Sequence, residues 1–165
     1  MILMRAKPFV SPESNLLQRE LWVLTSNGKW DLAIANPCRT DGTCVSQGSV
    51  GIMLGNGDGT FQPVVNYPTT GYDTARLEVG RLNHDGYPDV VALNAQGSDI
   101  TVLLGNGDGT LQAGTDYLVG LTPISVAVGN FNRDRAPDLA VADENANEVS
   151  VLLNTGSVFN PQPER

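Results

Sequence analysis

The chain has 165 residues, 41% of them hydrophobic, which is enough for one ordinary domain with a buried core. Its formal net charge of −8 excludes the clustered Lys and Arg of a phosphate-backbone binder and suits either a bound cation or a solvated acidic surface. No run approaches the roughly 18 apolar residues that cross a bilayer, so no membrane span is expected, and 18 glycines with 10 prolines read as frequent turns rather than disorder.

Residues 1–21 match the rest of the chain poorly, and their start, Met1-Ile-Leu-Met-Arg-Ala-Lys-Pro8, lacks the long apolar core of a secretory signal. A first unit is expected over residues 22–72, with a strand at Asp31–Asn36. An insertion follows that holds Cys38 and Cys44 around an Asp41-Gly42 turn. That spacing is within disulfide range, and a closed loop of seven residues would stabilise by about 2.4 kcal/mol before strain is subtracted. A Cys38–Cys44 disulfide in an oxidising compartment is therefore expected, with two free surface thiols as the alternative. The unit then reaches the turn Leu54-Gly-Asn-Gly-Asp-Gly-Thr60 and a strand from Phe61 to Tyr67.

A second unit, residues 73–120, repeats the pattern. Asp89–Asn94 corresponds to Asp31–Asn36, Ile100–Leu104 forms the next strand, and the heptapeptide turn returns letter for letter as Leu104–Thr110. Leu111 to Tyr117 follows it. The third unit, residues 121–165, aligns without gaps: Val128-Gly-Asn-Phe-Asn-Arg-Asp-Arg-Ala-Pro-Asp-Leu139 lies on Val79-Gly-Arg-Leu-Asn-His-Asp-Gly-Tyr-Pro-Asp-Val90. Its strands are expected at Ile124–Val128, Asp138–Ala142 and Val149–Leu153, and its end is shortened, with Phe159-Asn-Pro161 echoing Phe61-Gln-Pro63. The period-two alternation and the Asn-Gly and Asp-Gly hairpin steps predict four short strands per unit. A four-stranded unit recurring at roughly 50 residues is a β-propeller blade. The fold is thus expected to be all-β, about three four-stranded antiparallel blades. Propellers close with about four to eight blades, so three leave open ends, to be met by continuation in a longer propeller or by association of copies.

Val126-Ala-Val-Gly-Asn-Phe-Asn132 with Pro137-Asp-Leu-Ala-Val-Ala142, together with the paired LGNGDGT turns, resembles FG-GAP repeats of the bacterial VCBS-like type over roughly residues 22–160. The resemblance implies blades like those of integrin α-chain heads, in secreted or cell-surface proteins that serve adhesion, sugar binding or exported enzymes. It also implies a calcium-binding loop, D-x-[ND]-x-D-G-x-x-D, between the first two strands. In the third unit that pattern falls on Asn130, Asn132, Asp134 and Asp138 with the Ala136 carbonyl, and in the second on Asn83, Asp85 and Asp89 with the Tyr87 carbonyl. Calcium takes six to eight oxygens, and side chains at alternate loop positions converge on one point. The second unit departs from the pattern by placing Arg81 first, which weakens the site or replaces the ion by a salt bridge. The third departs by placing Arg135 where glycine is usual. The first unit offers Val23, Thr25, Asn27 and Asp31 and is expected to bind no ion. The competing reading of these loops is that Asn and Asp only cap turns through their own backbone. For Asn56-Gly-Asp58 and Asn106-Gly-Asp108, hairpin geometry alone suffices.

Catalysis is not expected. His84 is the one histidine, at a freely variable loop position, so no nucleophile has a histidine base beyond it. Tyr67 and Tyr117, equivalent in the repeat, are expected to serve blade packing rather than a sugar platform. The functional expectation is a non-enzymatic, calcium-binding extracellular module that binds a protein or glycan ligand. The alternatives are a structural accessory segment of an exported enzyme and a lectin that completes its ring by oligomerisation.

Overall fold

A computed structural model describes residues 19–22, 24, 25, 27–37, 47–71, 73–156 and 159–161, in which all regular structure is β-strand. Cys38 and Cys44 lie outside the described residues, as does Val23. The strands fall into three antiparallel four-stranded meanders. The first sheet is β1 (Arg19–Trp22), β2 (Asp31–Asn36), β3 (Ser49–Met53) and β4 (Val65–Pro68). The second is β5 (Thr74–Gly80), β6 (Asp89–Asn94), β7 (Asp99–Leu103) and β8 (Thr115–Leu118). The third is β9 (Pro123–Gly129), β10 (Asp138–Asp143), β11 (Glu148–Asn154) and β12 (Phe159–Pro161). Each strand pairs with its sequence neighbour, which is the wiring of a propeller blade.

Two boundaries differ from the sequence expectation. The first sheet takes its opening strand from Arg19–Trp22, mostly inside the stretch that resembles the repeat poorly. Arg19 pairs with Ile34 and Trp22 with Asp31, so backbone pairing persists where the side-chain pattern has drifted. The fourth strands also begin later than expected, at Val65 and Thr115 rather than at Phe61 and Leu111. The residues between close the hairpin: Gln62 N–H returns to Leu54 O at 2.8 Å and Gln112 N–H to Leu104 O at 2.8 Å.

The sheets stack face to face. The inner strand β5 of the second sheet lies against β1 and β2 of the first, and β9 of the third lies against β5 and β6. Two cores result. Ala33, Ala35, Val50 and Ile52 of the first sheet meet Val90 and Leu103 of the second. On the other side of the second sheet, Val91, Leu93 and Ile100 meet Leu139, Val141 and Leu152 of the third. This sandwiching explains why the sequence DVVALN of β6 is buried at every position, whereas DLAVAD of β10 alternates. A strand covered on both faces reads as a continuous apolar run, and one covered on a single face shows period two. Tyr67 and Tyr117 pack on these two cores, Tyr117 edge-on to Phe159 with ring centroids 5.3 Å apart.

Candidate functional site

Each blade opens with a loop between its first and second strands, and each second strand begins with an aspartate that is fully buried: Asp31, Asp89 and Asp138. Burying a carboxylate is costly unless its oxygens accept hydrogen bonds. Here both oxygens do so. Asp89 Oδ2 accepts from Leu82 N–H at 2.7 Å and Oδ1 from Gly105 N–H at 2.9 Å. Asp138 accepts from Phe131 N–H at 2.7 Å and Asn154 N–H at 2.9 Å. Asp31 accepts from Leu24 N–H at 2.9 Å, Thr25 N–H at 3.1 Å and Gly55 N–H at 3.0 Å. The aspartate therefore ties the loop to the end of the third strand, at Gly55, Gly105 or Asn154. Because Asp31 makes the same tie in a loop with a poor ligand set, this position has a structural role in every blade. The sequence pattern named Asp89 and Asp138 as ligands and did not reveal that role, since the acceptors' partners lie 16 residues away along the chain.

The tie is tight on its far side as well. A Cβ at Gly55 or Gly105 would strike the carbonyl oxygen of Trp30 or Pro88, so the first glycine of each LGNGDGT turn is required by close backbone approach. In the third blade Asn154 stands there, and its amide nitrogen donates to Pro137 O at 3.1 Å and to Leu82 O of the second blade at 2.6 Å.

The exposed part of the loop has one geometry in the last two blades. Asn83 Nδ2 donates to Asp85 Oδ2 at 2.8 Å, Asp85 N–H to Asn83 Oδ1 at 3.2 Å, and Tyr87 N–H to Asp85 Oδ1 at 2.7 Å. Asn132 Nδ2 donates to Asp134 Oδ2 at 2.8 Å, Asp134 N–H to Asn132 Oδ1 at 3.0 Å, and Ala136 N–H to Asp134 Oδ1 at 2.8 Å. Positive φ recurs at the residues between: His84 at 62° and Gly86 at 87°, Arg133 at 66° and Arg135 at 79°. These left-handed residues turn positions three and five toward one another. Arg135 thus adopts the backbone that Gly86 adopts without a side chain. His84 is exposed on the same loop. The first loop keeps one element of the set, Lys29 N–H on Asn27 Oδ1 at 2.7 Å.

These are Asx turns, so capping is real here. Each oxygen involved still has a second lone pair. Asn132, Asp134, Asp138, Asn130 and the Ala136 carbonyl form an oxygen-only set, the chemistry of a hard cation, with water needed to reach six ligands. Among the described residues no group of three or more His, Cys, Asp and Glu side chains gathers, so the set depends on amide oxygens. In the middle blade, burial pushes the Asp89 carboxyl above its ordinary value and the neighbouring Asp85 charge raises it further, against the downward pull of the Leu82 and Gly105 N–H groups. Arg81 is exposed and lines a cleft of about 350 Å³ with Leu24, Thr25, Tyr87 and Gly107. The last loop offers oxygen donors at each of these positions, Asn130 included, whereas the second places Arg81 first.

The two LGNGDGT turns are closed by their own side chains. Thr60 Oγ1 donates to Asp58 Oδ1 at 2.6 Å and Asn56 Nδ2 to Thr60 Oγ1 at 2.8 Å, and Asn106, Asp108 and Thr110 repeat both bonds. The threonine hydroxyl holds the Asp58 and Asp108 carboxyls below their ordinary value. These aspartates are turn residues.

The description of the family whose sequence model matches is FG-GAP-like repeat, and it matches over residues 24–92 and again over 81–141. No curated protein matches the chain.

Proposed function

The chain belongs to the FG-GAP-like repeat family, and on that premise we propose that it is a calcium-supported, non-enzymatic binding module of the secreted or cell-surface kind, which takes an extracellular protein or glycan as its ligand. Repeats of this family are consistent with ligand-binding or adhesion modules, are typically non-enzymatic, and commonly occur in extracellular or surface proteins. The observation that carries the calcium reading is the oxygen-only loop of the third blade, Asn130, Asn132, Asp134 and Asp138, built on the same turn as its counterpart in the second blade. Bound calcium would supply a positive centre that neutralises the paired carboxylates and fixes the loop at the blade's corner. Asp134 and Asp138 would hold it by charge, Asn130 and Asn132 by amide oxygen, and the Ala136 carbonyl from the backbone.

Calorimetric melting in calcium and in EGTA tests this. Extracellular calcium modules bind at roughly 10⁻⁴–10⁻³ M, and ten times the dissociation constant stabilises by about 1.4 kcal/mol per site. For a domain of this size that raises the midpoint by about 3–6 °C. Asp134→Ala with Asn130→Ala removes the third blade's share of the rise. Equal midpoints for the native chain in both media would reject calcium binding.

A further inference from the structure

The cleft of about 350 Å³ between the first two blades is walled by the opening loop of each. The first blade contributes Leu24, Thr25 and Gly28, and the second contributes Arg81, Tyr87 and the Gly107 of its turn. Both walls come from adjoining blades inside the chain. The rim is open, since a Cβ at Gly28 or Gly86 would meet nothing within 4 Å.

Two side chains set this cleft apart from its equivalents in the repeat. Arg81 stands where the third blade has Asn130, and Tyr87 stands where the first blade has Lys29 and the third has Ala136. Neither departure serves the fold. Arg81 is exposed, and among the described residues no carboxylate pairs with its guanidinium. Tyr87 is 43% exposed and belongs to neither core. Its ring is nevertheless held in place: a Cβ on Gly107 would strike Cδ1 and Cε1 of the ring. An aromatic ring fixed on one side and open on the other is an immobilised apolar platform beside a free cation.

Charge is divided between the two ends of the sheets. Lys29, Arg81, Arg133 and Arg135 sit in the loops that open the blades, whereas the opposite hairpins of the second and third blades carry Asp99, Glu144 and Glu148 with no Lys or Arg. An anion repelled by a net charge of −8 elsewhere thus meets cations at this end. Asp85, on the same loop as Tyr87, opposes a second negative charge, so the site suits one carboxylate rather than a polyanion. Ligand clefts run from about 300 Å³ upward, which gives this one room for a disaccharide. It is too small for the roughly 800 Å² that a folded protein partner buries.

We propose that the cleft binds a carboxylated sugar, one uronate residue of an extracellular glycan, with its carboxylate on the Arg81 guanidinium and its pyranose ring against Tyr87. The guanidinium is a planar fork that matches a carboxylate, and the C–H face of a pyranose packs on an aromatic ring. This rests on the glycan form of the ligand-binding reading and needs no calcium.

Isothermal titration of the full chain in EGTA with glucuronosyl-galactose tests it. The expected dissociation constant is about 1 mM or below, and glucosyl-galactose, the carboxyl-reduced sugar, binds at least about 10-fold more weakly. Arg81→Ala weakens the uronate by about 10-fold or more and leaves the neutral sugar unchanged. Arg81→Lys weakens it less, because an ammonium keeps the charge without the fork. Tyr87→Ala weakens both sugars, and Tyr87→Phe weakens neither. Both residues are exposed, so circular dichroism is expected to show native strands in every variant. A chain silent to the uronate overturns the inference. So does binding that Arg81→Ala and Tyr87→Ala leave intact, or equal binding of a glutamyl peptide of similar size. The calcium-dependent rise in melting midpoint is read separately on the same chain, so loss of this site leaves the calcium reading standing. A neutral glycan bound elsewhere leaves the glycan reading standing.

Discussion

Replacing Asp89 by Asn leaves the shape of the side chain and removes one acceptor, which isolates the tie between loop and strand. Asp89 accepts from Leu82 N–H at 2.7 Å and Gly105 N–H at 2.9 Å, one on each oxygen. The amide of Asn keeps one of these bonds and turns an NH₂ group toward the other donor. A buried donor left unpaired costs about 1–3 kcal/mol, and relief of charge burial beside Asp85 offsets part of that. A net loss of about 2 kcal/mol lowers the melting midpoint of a domain this size by roughly 4–8 °C. The assay is calorimetry in EGTA, where calcium ligation contributes nothing. Asp31→Asn serves as the parallel case, because Asp31 makes the same bonds in a loop without a good ligand set. It is expected to fall by a similar amount with or without calcium. If Asp89→Asn melts within about 1 °C of the native chain in EGTA and differs only in calcium, the residue is a ligand alone and the structural role assigned to it is wrong.

Arg135 holds a φ of 79° that its counterpart Gly86 holds at 87°. Arg135→Gly removes left-handed strain of about 1–2 kcal/mol and adds chain freedom to the unfolded state. A net gain of about 0.5–1 kcal/mol is expected in EGTA, read by denaturant unfolding, and a loss of stability would contradict it. Asp99 supplies a pH test away from the loops. Burial first, and Asp116 second, push its carboxyl above the ordinary 3.8, while the Asn94 amide opposes them. A group raised on folding stabilises fully below its unfolded value, and that contribution is lost as pH rises through its folded value. Asp99→Asn is therefore expected to gain stability relative to the native chain as pH rises from about 4 to 7. Melting midpoints that differ by a constant across that range would refute the cause assigned.

Much of the architecture was legible because it is local. The heptapeptide at Leu54–Thr60 and Leu104–Thr110 carries its own hairpin bonds, so its sequence alone implied the turn. Alternation in Ile124–Val128 and the apolar run of Asp89–Asn94 marked strands for the same reason. The candidate loop was legible as well: spacing placed Asn132 beside Asp134 and Asn83 beside Asp85, and the structure brings each pair together. What drifted from the pattern stayed open, with a diverged strand as one reading of residues 1–21. Arg19–Trp22 forms a strand because the backbone of β2 offers a partner, which side-chain resemblance does not record.

By itself, then, the sequence determined the unit, its four strands, its turns and its oxygen-rich loop, since each depends on residues close together along the chain. Tertiary structure decided what those residues do. Asp31, Asp89 and Asp138 became buried ties only once their third strands returned beside them, and Leu24, Leu82 and Phe131, equivalent in the repeat, differ only in whether a following blade covers them. Burial belongs to what lies across a face, and no spacing within one unit can encode its neighbour.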